Sequence, residues 1–127
     1  MNTKILIADD DQRERDLLRL LLEDRGYEVC ESHDGAEALC LLESAAFEIV
    51  VTDFHMPRLN GLQLLYIVRQ LWPRTSVIML SGEPADMAQT AFMYGAYAWV
   101  RKPFEVNRLL DIISKATNEH AAPQRQT

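Results

Sequence analysis

Asp9, Asp10 and Asp11 stand in a row directly after the apolar run from Lys4 to Ala8, and Asp53 follows another such run, Glu48 to Thr52. Ser81 follows Val77 to Leu80, and Arg101-Lys102 follow Tyr97 to Val100. Gathered in one low-dielectric cleft, the carboxylates of Asp9, Asp10 and Asp53 would repel one another by several kcal/mol, so a positive charge has to sit among them. A hard divalent ion such as Mg²⁺ takes carboxylate oxygens, keeps several waters and bridges to a phosphoryl group. Lys102 adds a fixed positive charge and Ser81 a hydroxyl donor, and the set then has what is needed to accept phosphoryl oxygens. Each residue alone has a plainer reading. An Asp often ends a strand or caps a helix, Ser81 would be a turn residue before Gly82, and Lys102 a solvated surface charge. Only convergence separates the two readings, so the elements that carry these residues decide between them.

Other chemistries lack their parts. The glycines at 26, 35, 61, 82 and 95 form neither a dinucleotide fingerprint nor a phosphate loop. There is no H-E-x-x-H and no G-x-S-x-G. Cys30 and Cys40 have no second ligand at metal spacing and read as small hydrophobes, one in a strand pattern and one in a helix pattern.

The elements alternate. Lys4 to Ala8 reads as a strand, and Gln12 to Arg25 carries Leu17, Leu18, Leu21 and Leu22 at helical spacing. Asp11 with Glu14 three residues on fits a capping box, and Gly26 suits the left-handed position past the helix end. Strands at Tyr27 to Ser32, Glu48 to Thr52, Ser76 to Leu80 and Tyr97 to Val100 then interleave with helices at Ala36 to Glu43, Leu62 to Leu71, Ala85 to Tyr94 and Glu105 to Ala116. Near-continuous apolar strands such as Ile49 to Val51 and Val77 to Leu80 indicate burial on both faces, as in a parallel sheet between helices. Ligands in such sheets bind outside the carboxyl ends of the strands, where the acids, the hydroxyl and the amine all fall.

At 127 residues the chain is long enough for one domain with one core. Charged residues at 25% and apolar ones at 48%, with five Gly and five Pro, exclude a disordered or collagen-like chain. Thirteen Lys and Arg against nineteen Asp and Glu leave a net charge of −6, which repels phosphate backbones and anionic lipid. No direct nucleic-acid binding and no membrane insertion are expected. The short apolar run Ile5 to Ala8 is no signal peptide or span, and two cysteines make no disulfide scaffold, so a reducing cytoplasm is the expected location. Domain boundaries are expected at residues 1–116 for the globular unit, with residues 117–127 a tail or the start of a linker.

Taken in order, Ala8-Asp9-Asp10-Asp11, Asp53-Phe54-His55-Met56-Pro57 with Asn60-Gly61, Ser81-Gly82, Gly95-Ala96 and Lys102-Pro103-Phe104 resemble the receiver domain of bacterial two-component response regulators, of the chemotaxis-regulator kind, from Lys4 to Lys115. The resemblance implies an α/β, flavodoxin-like (βα)5 three-layer sandwich with a five-stranded parallel sheet of order 2-1-3-4-5. It implies that Asp53 is the phosphoacceptor. Asp10, Asp53 and the backbone carbonyl of His55 would ligate Mg²⁺, or Mn²⁺ in its place, with Asp9 acting through a bound water. Lys102 would pair with the carboxylate and then the phosphoryl group, and Ser81 would hydrogen-bond a phosphoryl oxygen. Ser81 and Trp99, the aromatic three residues before the lysine, are the implied switch pair, and a static Trp99 is the plainer alternative. His55 and Glu83 would flank the phosphoryl group and tune water access, and Lys102-Pro103 is expected to be cis.

The implied partners are a sensor histidine kinase or histidine phosphotransfer domain, docking on the first helix where Leu20 is spare, and a downstream protein or a missing output domain. The fourth helix, with Met87, Gln89, Thr90 and Met93, is poor in charge for an output face. A monomer or a weak phosphorylation-dependent dimer is expected, and no enzyme activity beyond the domain's own phosphorylation and dephosphorylation. Two other classes compete. A pseudo-receiver, used only as an interaction module, normally lacks an acid or the lysine, and none is missing here. A phosphatase of haloacid dehalogenase type needs a second Asp two residues after its nucleophile, where this chain has His55.

Overall fold

Strand formation follows the apolar runs closely, because each central strand is covered on both faces. In β1 (Lys4–Ala8) every residue from Ile5 to Ala8 is fully buried. The computed structural model describes residues 2–82 and 85–121. Among these, β1 is followed by α1 (Gln12–Asp24), β2 (Glu28–Ser32), α2 (Gly35–Ser44), β3 (Ile49–Asp53), α3 (Gly61–Leu71), β4 (Ser76–Ser81), α4 (Ala85–Met93), β5 (Ala98–Arg101) and α5 (Val106–Ala121). The strands are all parallel in the order β2-β1-β3-β4-β5, the flavodoxin-like arrangement.

The period of two along the strands divides the core into two layers. Leu6, Ala8, Val50, Val77 and Met79 face α2, α3 and α4, meeting Ala38, Leu42, Leu64, Leu65, Val68 and Ala91. Ile5, Ile7, Ile49, Val51, Ile78 and Leu80 face the other way, against Leu18 and Leu22 of α1 and Leu109, Leu110 and Ile113 of α5. Each Val, Leu, Ile or Met among these contributes about 1.5–3 kcal/mol by leaving water, and together they fix which way each strand end points.

Helix ends are set by local chemistry. Asp11 caps α1 by accepting from the Arg13 amide at 2.9 Å. At the other end Gly26, with φ of +88°, takes the left-handed position, and the Gly26 and Tyr27 amides return to Glu23 and Leu22. Asn60 and Gln63 form a reciprocal capping box on α3, each side chain accepting from the other's backbone amide. The box expected on α1 is only half formed, since the Glu14 side chain turns away to Lys102.

Two further expectations are corrected. The closing helix does not stop at Ala116 but continues to Ala121. Thr117 to Glu119 carry no apolar periodicity, yet a helix already nucleated extends at little cost. The Tyr97 hydroxyl also donates to Glu119 at 2.6 Å, tying the added turn to the start of β5. The rest of the tail, residues 122–127, lies outside the described residues. Cys40 is exposed on α2, so the small-hydrophobe reading holds only for Cys30, which packs at the margin of the core.

Candidate functional site

The carboxyl ends of β1, β3 and β4 and the segment after β5 meet at one edge of the sheet. Asp53 and Ser81 prove to be the last residues of β3 and β4 rather than the first residues beyond them. Pairing aligns Asp53 with Leu80 and Ser81 with Arg101, and the Lys102 amide donates to the Ser81 carbonyl at 2.9 Å. The Lys102–Pro103 peptide bond is cis. The floor beneath Asp53 is tight. A β-carbon on Gly61 would stand 2.2 Å from the Asp53 carbonyl oxygen, while the Gly61 amide donates to the Phe54 carbonyl at 2.8 Å. Only a residue without a side chain lets α3 start there.

Three carboxylates converge. One ligand oxygen each from Asp9, Asp10 and Asp53 lies within 4.8 Å of the others. Asp9 is buried, Asp53 half-buried and Asp10 exposed. The Asp11 amide donates to Asp9 Oδ1 at 2.9 Å, and the Arg15 guanidinium donates to the Asp9 carbonyl at 2.7 Å while pairing with Glu31 at 3.2 Å. These bonds hold Asp9 in place but leave its Oδ2 buried with no hydrogen-bond partner among the described residues. A buried acceptor without a donor is costly. A cation is the partner this donor set suits, because a hard divalent ion accepts carboxylate oxygen and leaves room for water on the exposed Asp10 side.

Lys102 supplies the fixed positive charge. Its ammonium donates to Asp53 Oδ1 at 3.0 Å and lies 2.7 Å from Glu14 Oε1. Burial and then the facing Glu14 carboxylate push the Asp9 carboxyl up to about 8. Burial also raises Asp53, against the opposing pull of Lys102. Glu14 moves the other way. Burial would raise it, but the facing Asp9 carboxyl and the adjacent Lys102 ammonium outweigh this and hold it below the usual carboxylate range. Lys102 is raised because Glu14 and Asp53 outweigh the burial that would lower it.

The remaining expected residues fall around this centre. Ser81 is fully buried at the end of β4. The exposed His55 ring meets Phe54 edge-on, with centroids 5.0 Å apart. Trp99 also meets Phe54 edge-on, at 6.0 Å, and its Nε1 is buried without a hydrogen-bond partner among the described residues. Trp99 thus lies in the layer of core that abuts the site. Glu83 lies outside the described residues. Glu14 was absent from the expected set. The residue three after a helix cap is usually a capping partner, and nothing local distinguishes one that reaches across to another strand end.

Comparison with known proteins agrees with this geometry. Residues 5–114 match the family described as the response regulator receiver domain. The response regulator protein FleR of Pseudomonas aeruginosa is 34% identical over 116 residues, covering 91% of this chain and 24% of that protein. The transcriptional regulatory protein CpxR of Escherichia coli is 36% identical over 108 residues, covering 84% of this chain and 46% of its own length. The chain therefore spans about a quarter to a half of the length of these curated relatives. The chemotaxis response regulator CheY4 of Vibrio cholerae superposes with a TM-score of 0.85 at 31% identity, over 91% of this chain and 99% of that one. A response regulator receiver domain from Clostridium thermocellum gives 0.88 at 31% identity, over 94% and 97%. By sequence, strand order and the residues at the strand ends alike, this chain belongs to the family of response regulator receiver domains.

Proposed function

We propose that the protein is a phosphoacceptor switch in which Asp53 takes a phosphoryl group from a phosphohistidine of a sensor kinase or histidine phosphotransfer domain. The observation that carries this reading is the placing of Lys102, 3.0 Å from Asp53 Oδ1, beside three carboxylates whose ligand oxygens lie within 4.8 Å of one another. Asp53 attacks phosphorus in line. The new bond joins a carboxylate oxygen to phosphorus, the phosphorus–nitrogen bond of the donor breaks, and the electron pair leaves with the imidazole. Phosphoryl transfer depends on positioning and on neutralising the equatorial oxygens more than on covalent help from the protein. Lys102 neutralises one side, turning from the carboxylate to the phosphoryl group, and the buried Ser81 hydroxyl donates to a phosphoryl oxygen. Asp10, Asp53 and the His55 carbonyl, with Asp9 through a bound water, would hold Mg²⁺ or Mn²⁺, which when bound would supply charge neutralisation on the other side. His55 and Glu83 tune access of water, and with it the lifetime of the acyl phosphate. The domain thus catalyses its own phosphorylation and dephosphorylation and acts on no separate substrate.

Docking of the phosphodonor on α1 has support from Leu17 and Leu20, which are 44% and 68% exposed on a helix whose exposed face is otherwise polar and charged. Readout follows through α4, β5 and α5 to a downstream protein or output domain, with Phe92, Met93 and Tyr94 exposed at the end of α4. No helix among the described residues is long and apolar enough to cross a membrane.

The test is incubation with Mg²⁺ and acetyl phosphate, read as intact mass. Wild type should gain one phosphoryl group, and Asp53→Asn none. Equal labelling of the two proteins overturns the assignment of Asp53, and an unlabelled wild type that still binds its partner makes the domain a pseudo-receiver.

A further inference from the structure

Lys102 is shared between two carboxylates of different elements. Its ammonium lies 3.0 Å from Asp53, at the end of β3, and 2.7 Å from Glu14, in the first turn of α1. The Lys102 and Glu14 side chains are 24% and 20% exposed, so solvent screens the contact only in part. Both carboxylates touch one nitrogen, which places Glu14 beside the phosphoacceptor although it supplies no ligand to the Asp9, Asp10 and Asp53 cluster.

We propose that Glu14 is a positioning residue for Lys102, and that it sets the balance at this cleft between affinity for the divalent cation and affinity for the phosphoryl group. The inference rests on the phosphoacceptor reading above and adds a residue to it. When Asp53 acquires a phosphoryl group, its oxygens compete with Glu14 for the one ammonium. Whatever share of Lys102 Glu14 retains is lost to the phosphoryl group, and Glu14's own charge repels the new anion. The same charge deepens the negative potential of the Asp9, Asp10 and Asp53 cluster and therefore draws a divalent cation more strongly. One carboxylate thus acts in opposite directions on the two ligands, which a purely structural role would not do.

The experiment is titration calorimetry on the whole chain as wild type, Glu14→Gln, Glu14→Leu and Glu14→Asp, first with Mg²⁺ alone and then with beryllofluoride at saturating Mg²⁺. Thermal melts show that each variant is folded. Removing one screened charge at this range should change each affinity by roughly three- to tenfold. Glu14→Gln and Glu14→Leu should bind Mg²⁺ more weakly and beryllofluoride more tightly than wild type. Glu14→Asp keeps the charge but is one methylene short of Lys102, so it should keep most of the Mg²⁺ affinity. Affinities that both fall, or that both stay unchanged, in folded Glu14→Gln and Glu14→Leu overturn the role of Glu14 while leaving the phosphoacceptor reading intact. A wild-type protein that binds neither ligand overturns both.

Discussion

Gly61 leaves the Asp53 carbonyl oxygen no room for a neighbouring side chain, since a β-carbon there would lie 2.2 Å away, with Met79 Sδ and Phe54 Cα each at 3.0 Å. Two of these three atoms are backbone, from Asp53 and Phe54, at the strand end that carries the Asp53 carboxylate. Gly61→Ala should therefore cost about 1–3 kcal/mol, the usual range for overpacking a filled site. It should also slow labelling of Asp53, because any shift of the β3 end displaces that carboxylate. Urea unfolding and acetyl phosphate labelling check the two halves, and a variant as stable and as quickly labelled as wild type would show the contact to be soft.

The same closeness explains what the sequence could and could not reveal. Asp9, Asp53, Ser81 and Lys102 were legible because each ends or follows an apolar strand, and parallel topology alone brings such ends to one edge. Glu14 was not, because its local position satisfies a capping rule and its true partner, Lys102, is far away along the chain. The end of α5 was missed for a related reason. Thr117 to Glu119 are all polar, and what ties them to the fold is the continuing helix, the Thr117 hydroxyl donating to the Ser114 carbonyl and the contact of Glu119 with Tyr97. Periodicity reports burial, so polar residues held by helix continuation and a distant hydrogen bond leave no trace in it.

Lys102 is the one cation bonded to Asp53 among the described residues, and its loss should be felt twice. Lys102→Met keeps the aliphatic bulk but leaves the Glu14 and Asp53 carboxylates, 20% and 14% exposed, without their shared partner. Stability without added cation should fall by about 1–3 kcal/mol, the cost of breaking a partly buried ion pair with solvent screening allowed for. Added Mg²⁺ should restore much of it, as binding to the folded state alone raises stability. Labelling should drop by about 10²-fold or more through loss of electrostatic stabilisation. Melting curves with and without Mg²⁺, paired with labelling rates, separate the two effects.

Asp34 gives the pH dependence its sign. It caps α2, accepting from the Glu37 amide at 2.7 Å, with Arg58 and His33 each 3.6 Å away. The amide hydrogen bond first, and the cations after it, hold its carboxyl below the ordinary value of 3.8. A carboxyl depressed in the folded state stabilises above its unfolded value and loses that contribution as pH falls through the folded one. Asp34→Ala should cost about 1 kcal/mol at neutral pH, the usual worth of such a cap. The gap between variant and wild type should persist down to about pH 4 and close below it. Denaturation at stepped pH measures this directly, and a gap that widened toward low pH would reverse the assignment.

Trp99 carries a buried indole N–H with no hydrogen-bond partner among the described residues, and its ring stands edge-on to Phe54, the neighbour of Asp53. Removing an unsatisfied donor while keeping an aromatic ring is often neutral or favourable, so Trp99→Phe should stay within about 1 kcal/mol of wild type. The indole is also a reporter. The chain has two tryptophans, so Trp72→Phe leaves Trp99 alone to emit. If Ser81 and Trp99 form the switch, beryllofluoride with Mg²⁺ should pull the ring against Phe54 and Ser81 and change both the intensity and the position of the emission band. The Ser81→Ala form of the same protein should bind the anion with a much smaller change, because the hydroxyl that links anion to ring is gone. Emission that stays constant while beryllofluoride binds would make Trp99 a static part of the core, and the signal would then have to leave the site through the backbone of β4 and β5.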